Sequence, residues 1–351
     1  MRRFPAFIAA GGRAGLLAVA AASALALAGP AAAEPAASGF VYTADEYGNT
    51  VSRIDLGTGR VDTRPVGIAP HNVQFVPGRN LVLAAGMPAD GQGGHGHGGN
   101  AAPGAVVVLD AGNFAADAPA AIAVGNHPAH VVADAAGDFA YVSNSEDDTV
   151  SVVDLAAGRA VATVATGDYP HGLRISPDGA SVYVANVRDG TVSVIDTASR
   201  TETGRIAVGP TPVQVGFTPD GSRVYVSLRD QNSVAVIDTA TRRVIDRVAV
   251  GRGPIQIHAT PDGRFVYVAN QGTEADPDNT VSVIETESGT VVDTIETGAG
   301  AHGVAVSDDG AFVFVSNIVD GTVSEIAVAS RSVLRTHRVG KGPNGITYQA
   351  R

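Results

Sequence analysis

Short runs of alternating hydrophobic and polar residues fill the chain from Phe40 onward, the period-2 pattern of half-buried strands. In one unit the runs are HGLRIS (171–176), SVYVAN (181–186), TVSVID (191–196) and TETGRIAV (201–208), here called strands A, B, C and D. Ser-Pro-Asp-Gly at 176–179 turns A into B, because Pro presets φ at the second turn position and Gly accepts a positive φ. The same turn recurs as TPDG (218–221), TPDG (260–263) and SDDG (307–310). No stretch after residue 33 shows a convincing helical period.

The unit repeats. Its B-to-D portion reads SVYVANVRDGTVSVIDTASRTETGRIAVG at 181–209 and RVYVSLRDQNSVAVIDTATRRVIDRVAVG at 223–251. Related segments start at Phe40, Leu81, Phe139, Phe265 and Phe312. The period of about 42 residues lies in the range of propeller blades or stacked repeats. The first unit starts at strand B (FVYTAD, 40–45), and the chain ends on GPNGITYQA (342–350), a strand A without its B. If the C-terminal strand completes the N-terminal blade, every blade has four strands and the ring closes, leaving only short protected edges. The expected fold is all-β: one seven-bladed β-propeller domain over 40–351, after a short segment at 34–39.

The tetrapeptides YVSN (141–144), YVAN (183–186), YVSL (225–228), YVAN (267–270) and FVSN (314–317) are each followed by a VSVID-like strand. In this the chain resembles the YVTN family of β-propeller repeats over nearly all of 40–351. That resemblance implies the fold and says little of activity, since the family spans proteins of very different function. Blades 1 and 2 (VYTADEYG and LVLAAGMP) depart most from the pattern.

Residues 1–33 are set apart. Arg2, Arg3 and Arg13 precede or flank an apolar run at 14–29, and Ala31-Ala32-Ala33 offers a small-residue cleavage site, the layout of an export signal. The run is short for a membrane span of about 20 residues. The expected location is periplasmic or secreted, with no membrane span after cleavage; the twin-arginine and general routes both remain open. Cleavage leaves 21 basic against 35 acidic residues, a net charge of −14. Such a surface repels phosphate backbones, so nucleic acid is not an expected partner. There is no cysteine, which excludes disulfides, thiolate ligands and c-type haem attachment. A metal must bind through His, Asp, Glu or backbone oxygen.

Several motifs dissolve on this scaffold. GxGxxG occurs at 91–96, 298–303 and 340–345, but none lies between a strand and a helix as a dinucleotide site requires. Asn144, Asn186, Asn270 and Asn317 end B strands; Asp55, Asp110, Asp154, Asp196, Asp238 and Glu285 end C strands. Recurrence at one position points to turn chemistry. Neither a GxSxG elbow nor an HExxH helix is present.

Antiparallel order puts B-to-C loops and D-to-A turns on one face, the top. Aligned on the usual proline of each D-to-A turn, the next residue is His71, Ala129, His171, Val213, Ile255, His302 and Asn344 in blades 2, 3, 4, 5, 6, 7 and 1. His71, His171 and His302 thus spread over blades 2, 4 and 7, and His130 lies one residue later in blade 3, near His127. The blade 2 loop at 86–104 carries His95 and His97 in GQGGHGHGGN, on the same face. Imidazole suits copper or zinc, short His-rich tracts are a metal-binding composition, and three imidazoles match the ligand count of a catalytic zinc site. These six histidines are the candidate ligands. Against this stands packing: Val73, Phe75, Leu173 and Ile175 share parity with His71 and His171, which places those histidines in blade seams. The other parity carries Asn72, His130, Gln214 and Gln256 toward the channel; Asn72, Gln214, Gln256 and Asn344 are candidate ligand-binding residues. The 91–100 loop also reads as a solvated spacer. A second long top loop, in blade 6 (270–279), holds Glu274, Asp276 and Asp278, a weak calcium candidate without a full coordination pattern.

The expected function is an exported binding or interaction propeller, acting as a monomer, whose top face holds a small ligand, a metal or a protein partner. One alternative is a copper- or zinc-dependent enzyme. Another is a scaffold for a catalytic partner, implied by a resemblance in fold alone to propeller subunits of quinoprotein dehydrogenases. Lactonase activity, known in other seven-bladed propellers, finds no matching acid/base set.

Overall fold

In the computed structural model, residues 36–89, 103–116 and 120–351 are described. They form seven four-stranded antiparallel sheets. The A strands are Ile68–Val76, Pro128–Ala133, Pro170–Ile175, Pro212–Phe217, Pro254–Ala259, Ala301–Val306 and, for blade 1, Pro343–Gln349. Each A strand packs against the A strands of the two neighbouring blades, so the seven make a closed inner ring. Closure is as expected: Pro343–Gln349 pairs antiparallel with Phe40–Asp45, Val41 opposite Tyr348 and Thr43 opposite Ile346.

Burial explains why the repeats read as they do. B strands lie between neighbouring blades and bury both faces; Ser181–Asn186 is buried at every residue but its first. Val and Ile therefore fill them with little regard for alternation, as in strands covered on both sides. D strands form the rim, and Thr201–Ala207 alternates exposed and covered positions. Seven apolar clusters hold the ring, one per blade seam. Tyr183, Val194 and Ile206 of blade 4 meet Val215, Val226 and Ile237 of blade 5. Val41, Ile54 and Leu56 of blade 1 meet Phe312 and Phe314 of blade 7. The core is thus distributed between blades and leaves the axis to polar groups.

The recurrent Asn residues are structural. Asn186 Nδ2 donates to Thr191 Oγ1 (2.9 Å) and Ser193 Oγ (2.9 Å), fastening strand B to strand C. Asn144, Asn270 and Asn317 repeat the pair of bonds. The aspartates ending C strands accept backbone N–H groups in the next turn, as Asp196 does from Ser199 and Asp238 from Thr241.

Two details differ from the sequence reading. The blade 6 insertion is largely a strand extension, with Phe265–Gly272 paired to Pro277–Glu285 and only the residues between them forming the loop. Asp276 and Asp278 of the weak calcium candidate pair there with Arg252. In blade 2, strands Leu81–Pro88 and Ala105–Asp110 bracket the long loop. His95 and His97 lie outside the described residues.

Every A strand also carries a β-bulge just after its proline position. Pro170 pairs with Asn186 but Leu173 with Val184, three residues against two. The same slip occurs after Pro70, Pro128, Pro212, Pro254, Ala301 and Pro343. A bulge re-aims side chains and breaks two-residue alternation.

Candidate metal centre

The bulge is what builds the site. Without it, side chains one and two residues after the proline would point to opposite faces. With it, His71 and His171 from the first position and His130 from the second converge at the channel mouth. Their ring centroids are 5.8 Å (71–130), 5.1 Å (71–171) and 4.9 Å (130–171) apart. One nitrogen of each lies within 4.8 Å of the others, so the three could hold a metal ion. Blade 3 contributes from the second position because its first is Ala129. Gly172 occupies the second position in blade 4, and a Cβ there would stand 2.2 Å from Gln214 Oε1 and 2.5 Å from the Val213 carbonyl oxygen. That glycine lets the neighbouring blade come close enough to orient His171.

The orientation of each ring is determined from behind. His171 Nδ1 stands 3.2 Å from the Val213 carbonyl oxygen and donates to it. His71 Nδ1 lies 3.3 Å from Glu46 Oε2, while Asn344 Nδ2 donates to that same oxygen at 2.7 Å and sits 3.1 Å from His71 Nδ1. These are the second partners that metal-ligating imidazoles use to present their other nitrogen. His71 Nε2 and His171 Nε2 accordingly face each other at 3.2 Å. Two nitrogens bound to one tetrahedral ion at 2.0–2.1 Å are separated by about 3.3 Å. His130 is 1 % exposed, with Gln214 Nε2 3.4 Å from its Nδ1 and no partner at Nε2 among the described residues.

Burial favours the neutral form of His130 and His171, the form that ligates metal. It drives His130 and His171 well below the ordinary histidine range, and the neighbouring imidazoles add to the effect. His302, also chiefly through burial, is pushed down to about 3. For Glu46, burial works to raise the carboxyl; the His71 charge, hydrogen bonds from His71 and Asn344, and His302 outweigh it and hold Glu46 at about 2.

The grouping joins three consecutive blades, 2, 3 and 4, where the sequence alignment suggested 2, 4 and 7. His302 is within electrostatic reach of His71 and Glu46 but outside the trio, its ring engaged with the Asn344 backbone. Among the polar candidates, Gln214 and Asn344 touch the histidines. Asn72 Oδ1 instead accepts from the Val131 N–H (3.3 Å), and Gln256 Oε1 from the Val304 N–H (3.4 Å). Sequence reasoning missed Glu46. It follows the end of strand B in blade 1, in a 3-10 turn whose Glu46 N–H donates to the Gly342 carbonyl and Gly48 N–H to that of Lys341. These bonds tie a B-to-C loop to a D-to-A turn and so bring Glu46 to the mouth; the signal was the departure of ADEYG from the repeat.

The mouth is strained as well. His127, Tyr169 and Thr211, each preceding the proline in blades 3, 4 and 5, have φ of 51°, 60° and 53°. Such left-handed backbone costs a non-glycine residue about 1–2 kcal/mol. On the opposite face, a cleft of about 390 Å³ lies between the A-to-B turns of blades 5 and 6, where Asp220 and Asp262 are spent on turn hydrogen bonds.

Comparisons agree with this architecture. The solved structures similar to it include hydrazine synthase of Kuenenia stuttgartiensis (22 % identity, TM-score 0.67, covering 80 % of this chain and 89 % of that one). A functionally unknown protein of Desulfotomaculum acetoxidans aligns with TM-score 0.72 at 17 % identity over 89 % of this chain and 99 % of its own. A putative 6-phosphogluconolactonase of Bacteroides fragilis aligns with TM-score 0.71 at 16 % identity over 89 % and 98 %. At these identities the likeness is one of fold. No curated protein matches the sequence. The YNCE-like β-propeller family matches residues 101–202, 179–272 and 201–350, and with that span the chain belongs to the YNCE-like β-propellers.

Proposed function

We propose that this protein is an exported transition-metal-binding propeller in which His71, His130 and His171 hold one copper or zinc ion at the channel mouth. The observation that carries this reading is the facing pair of Nε2 atoms at 3.2 Å, with both Nδ1 atoms backed by oxygen. Imidazole-only sites suit copper and zinc, and at equal availability copper(II) binds more tightly. Three protein ligands leave a further coordination position for a small ligand or a partner's side chain. Glu46, itself held by the Asn344 amide, would accept the His71 Nδ1 proton and leave Nε2 free to face the ion. Export accords with the basic, apolar and small-residue segments of residues 1–33. The unpaired outer edges are confined to the separate rim strands of the blades, such as Thr201–Ala207 with its charged Glu202 and Arg205, which suits a monomer.

Calorimetric titration of the chelator-treated protein with Zn²⁺ and Cu²⁺ tests the site. The expected result is one-to-one binding to the wild type that His171→Ala weakens at least a hundredfold. Absence of binding to the wild type, or equal binding to both proteins, overturns the reading.

A further inference from the structure

The seven A strands contain no aspartate or glutamate, in a chain with a formal charge of −11. Their only permanently cationic side chain is Arg174, four residues after the proline in blade 4. His258 occupies the same level in blade 6, and Gln256 lies two residues nearer the mouth.

Arg174 has no charged counterpart there. Its Nη1 donates to the Leu173 carbonyl oxygen at 3.0 Å, and no carboxylate among the described residues pairs with it. Burial lowers its guanidinium to about 10 with no neighbouring charge to offset it, so it stays charged at neutral pH. Both His130 and His258 feel that charge, and its place as the fifth residue of Pro170–Ile175 puts Arg174 further along the strand than the trio. Gln256 is fully buried; its Oε1 is occupied by the Val304 N–H, and its Nε2 donor has no partner among the described residues.

A half-buried guanidinium without a partner carries a desolvation cost, and its planar fork matches a carboxylate or another oxyanion. We propose that the channel beneath the three histidines binds one small oxyanion, a carboxylate or an inorganic oxyanion, with Arg174 as the charged anchor and the Gln256 amide as a second donor. Electroneutrality supplies the selectivity: an anion compensates the lone inner charge, whereas a cation adds to it. The site needs no metal, and its occupant would approach through the same mouth that the trio guards.

The test uses the full chelator-treated chain and four probes, acetate, nitrate, sulfate and inorganic phosphate, each followed by calorimetry and thermal shift. At least one is expected to bind the wild type one-to-one, with affinity at least tenfold weaker in Arg174→Gln. Without any anion, Arg174→Gln is expected to melt no lower than the wild type, since it removes a half-buried charge that has no partner. Arg174→Lys, which keeps the charge and loses the fork, serves if the Gln variant does not fold, and is also expected to bind at least tenfold more weakly. Failure of all four probes to bind the wild type, or equal binding by the folded variant, overturns the proposal. Because no metal is present, that failure leaves the Zn²⁺ and Cu²⁺ titration untouched.

Discussion

Ser143 Oγ donates to the His171 carbonyl oxygen at 2.5 Å and accepts the His130 N–H at 3.0 Å. One hydroxyl on strand B of blade 3 therefore fixes the backbones of two of the three converging histidines across a blade seam. Ser227 and Ser316 make the same bridge in blades 5 and 7, to Ile255 and Asn344. The serine bridge is thus a general feature of the ring that blade 3 turns to a local purpose.

Ser143→Ala leaves the His130 N–H and the His171 carbonyl without this partner. A lost buried hydrogen bond of this kind costs about 1–3 kcal/mol of stability. Loosened support behind ligating histidines costs about tenfold in metal affinity. Denaturant unfolding and metal titration of one variant read both effects, whereas the equivalent Ser227→Ala should lower stability alone.

Glu46→Gln removes the carboxylate behind His71 Nδ1 and should weaken metal binding by about 10–100-fold. The wild-type carboxyl, held at about 2 against an ordinary 4.5, contributes stability that is present above pH 4.5 and is lost as the pH falls toward 2. The variant should therefore show a shallower loss of stability than the wild type across that acid range.

Asp45 occupies in blade 1 the place of Asn144, Asn186, Asn270 and Asn317. It is fully buried and accepts hydrogen bonds from Thr43, Thr50 and Ser52. Burial outweighs those bonds and raises its carboxyl to about 6 from 3.8. A group raised in the folded state supports stability below its unfolded pKa and withdraws that support as the pH rises through the folded value. Asp45→Asn, able to donate to the same hydroxyls, should raise stability above pH 6 by up to roughly 3 kcal/mol and change it little at pH 3.5. Unfolding curves at the two pH values check the sign.

The strand order, the blade count and the closing strand were legible because each followed from repeat register: the first unit lacks an A strand and the last lacks a B. The Asn and Asp turn roles were legible for the same reason. The trio was less so. The parity argument placed His71 and His171 with Leu173 and Ile175, but the bulge after Pro170 separates residue 171 from that alternation. Nothing in PHGLRI marks the bulge, since PVQVGF and PIQIHA slip in the same way with glutamine where Gly172 stands. Glu46 escaped because its partner, His71, is a neighbour only across the closed seam between blades 1 and 2.

Metal content measured by elemental analysis after periplasmic expression tests the central claim most directly. The account predicts about one copper or zinc ion per chain in the wild type and in His302→Ala, and almost none in the triple His71/His130/His171 to Ala variant. Equal metal in the wild type and the triple variant, both folded, would contradict it.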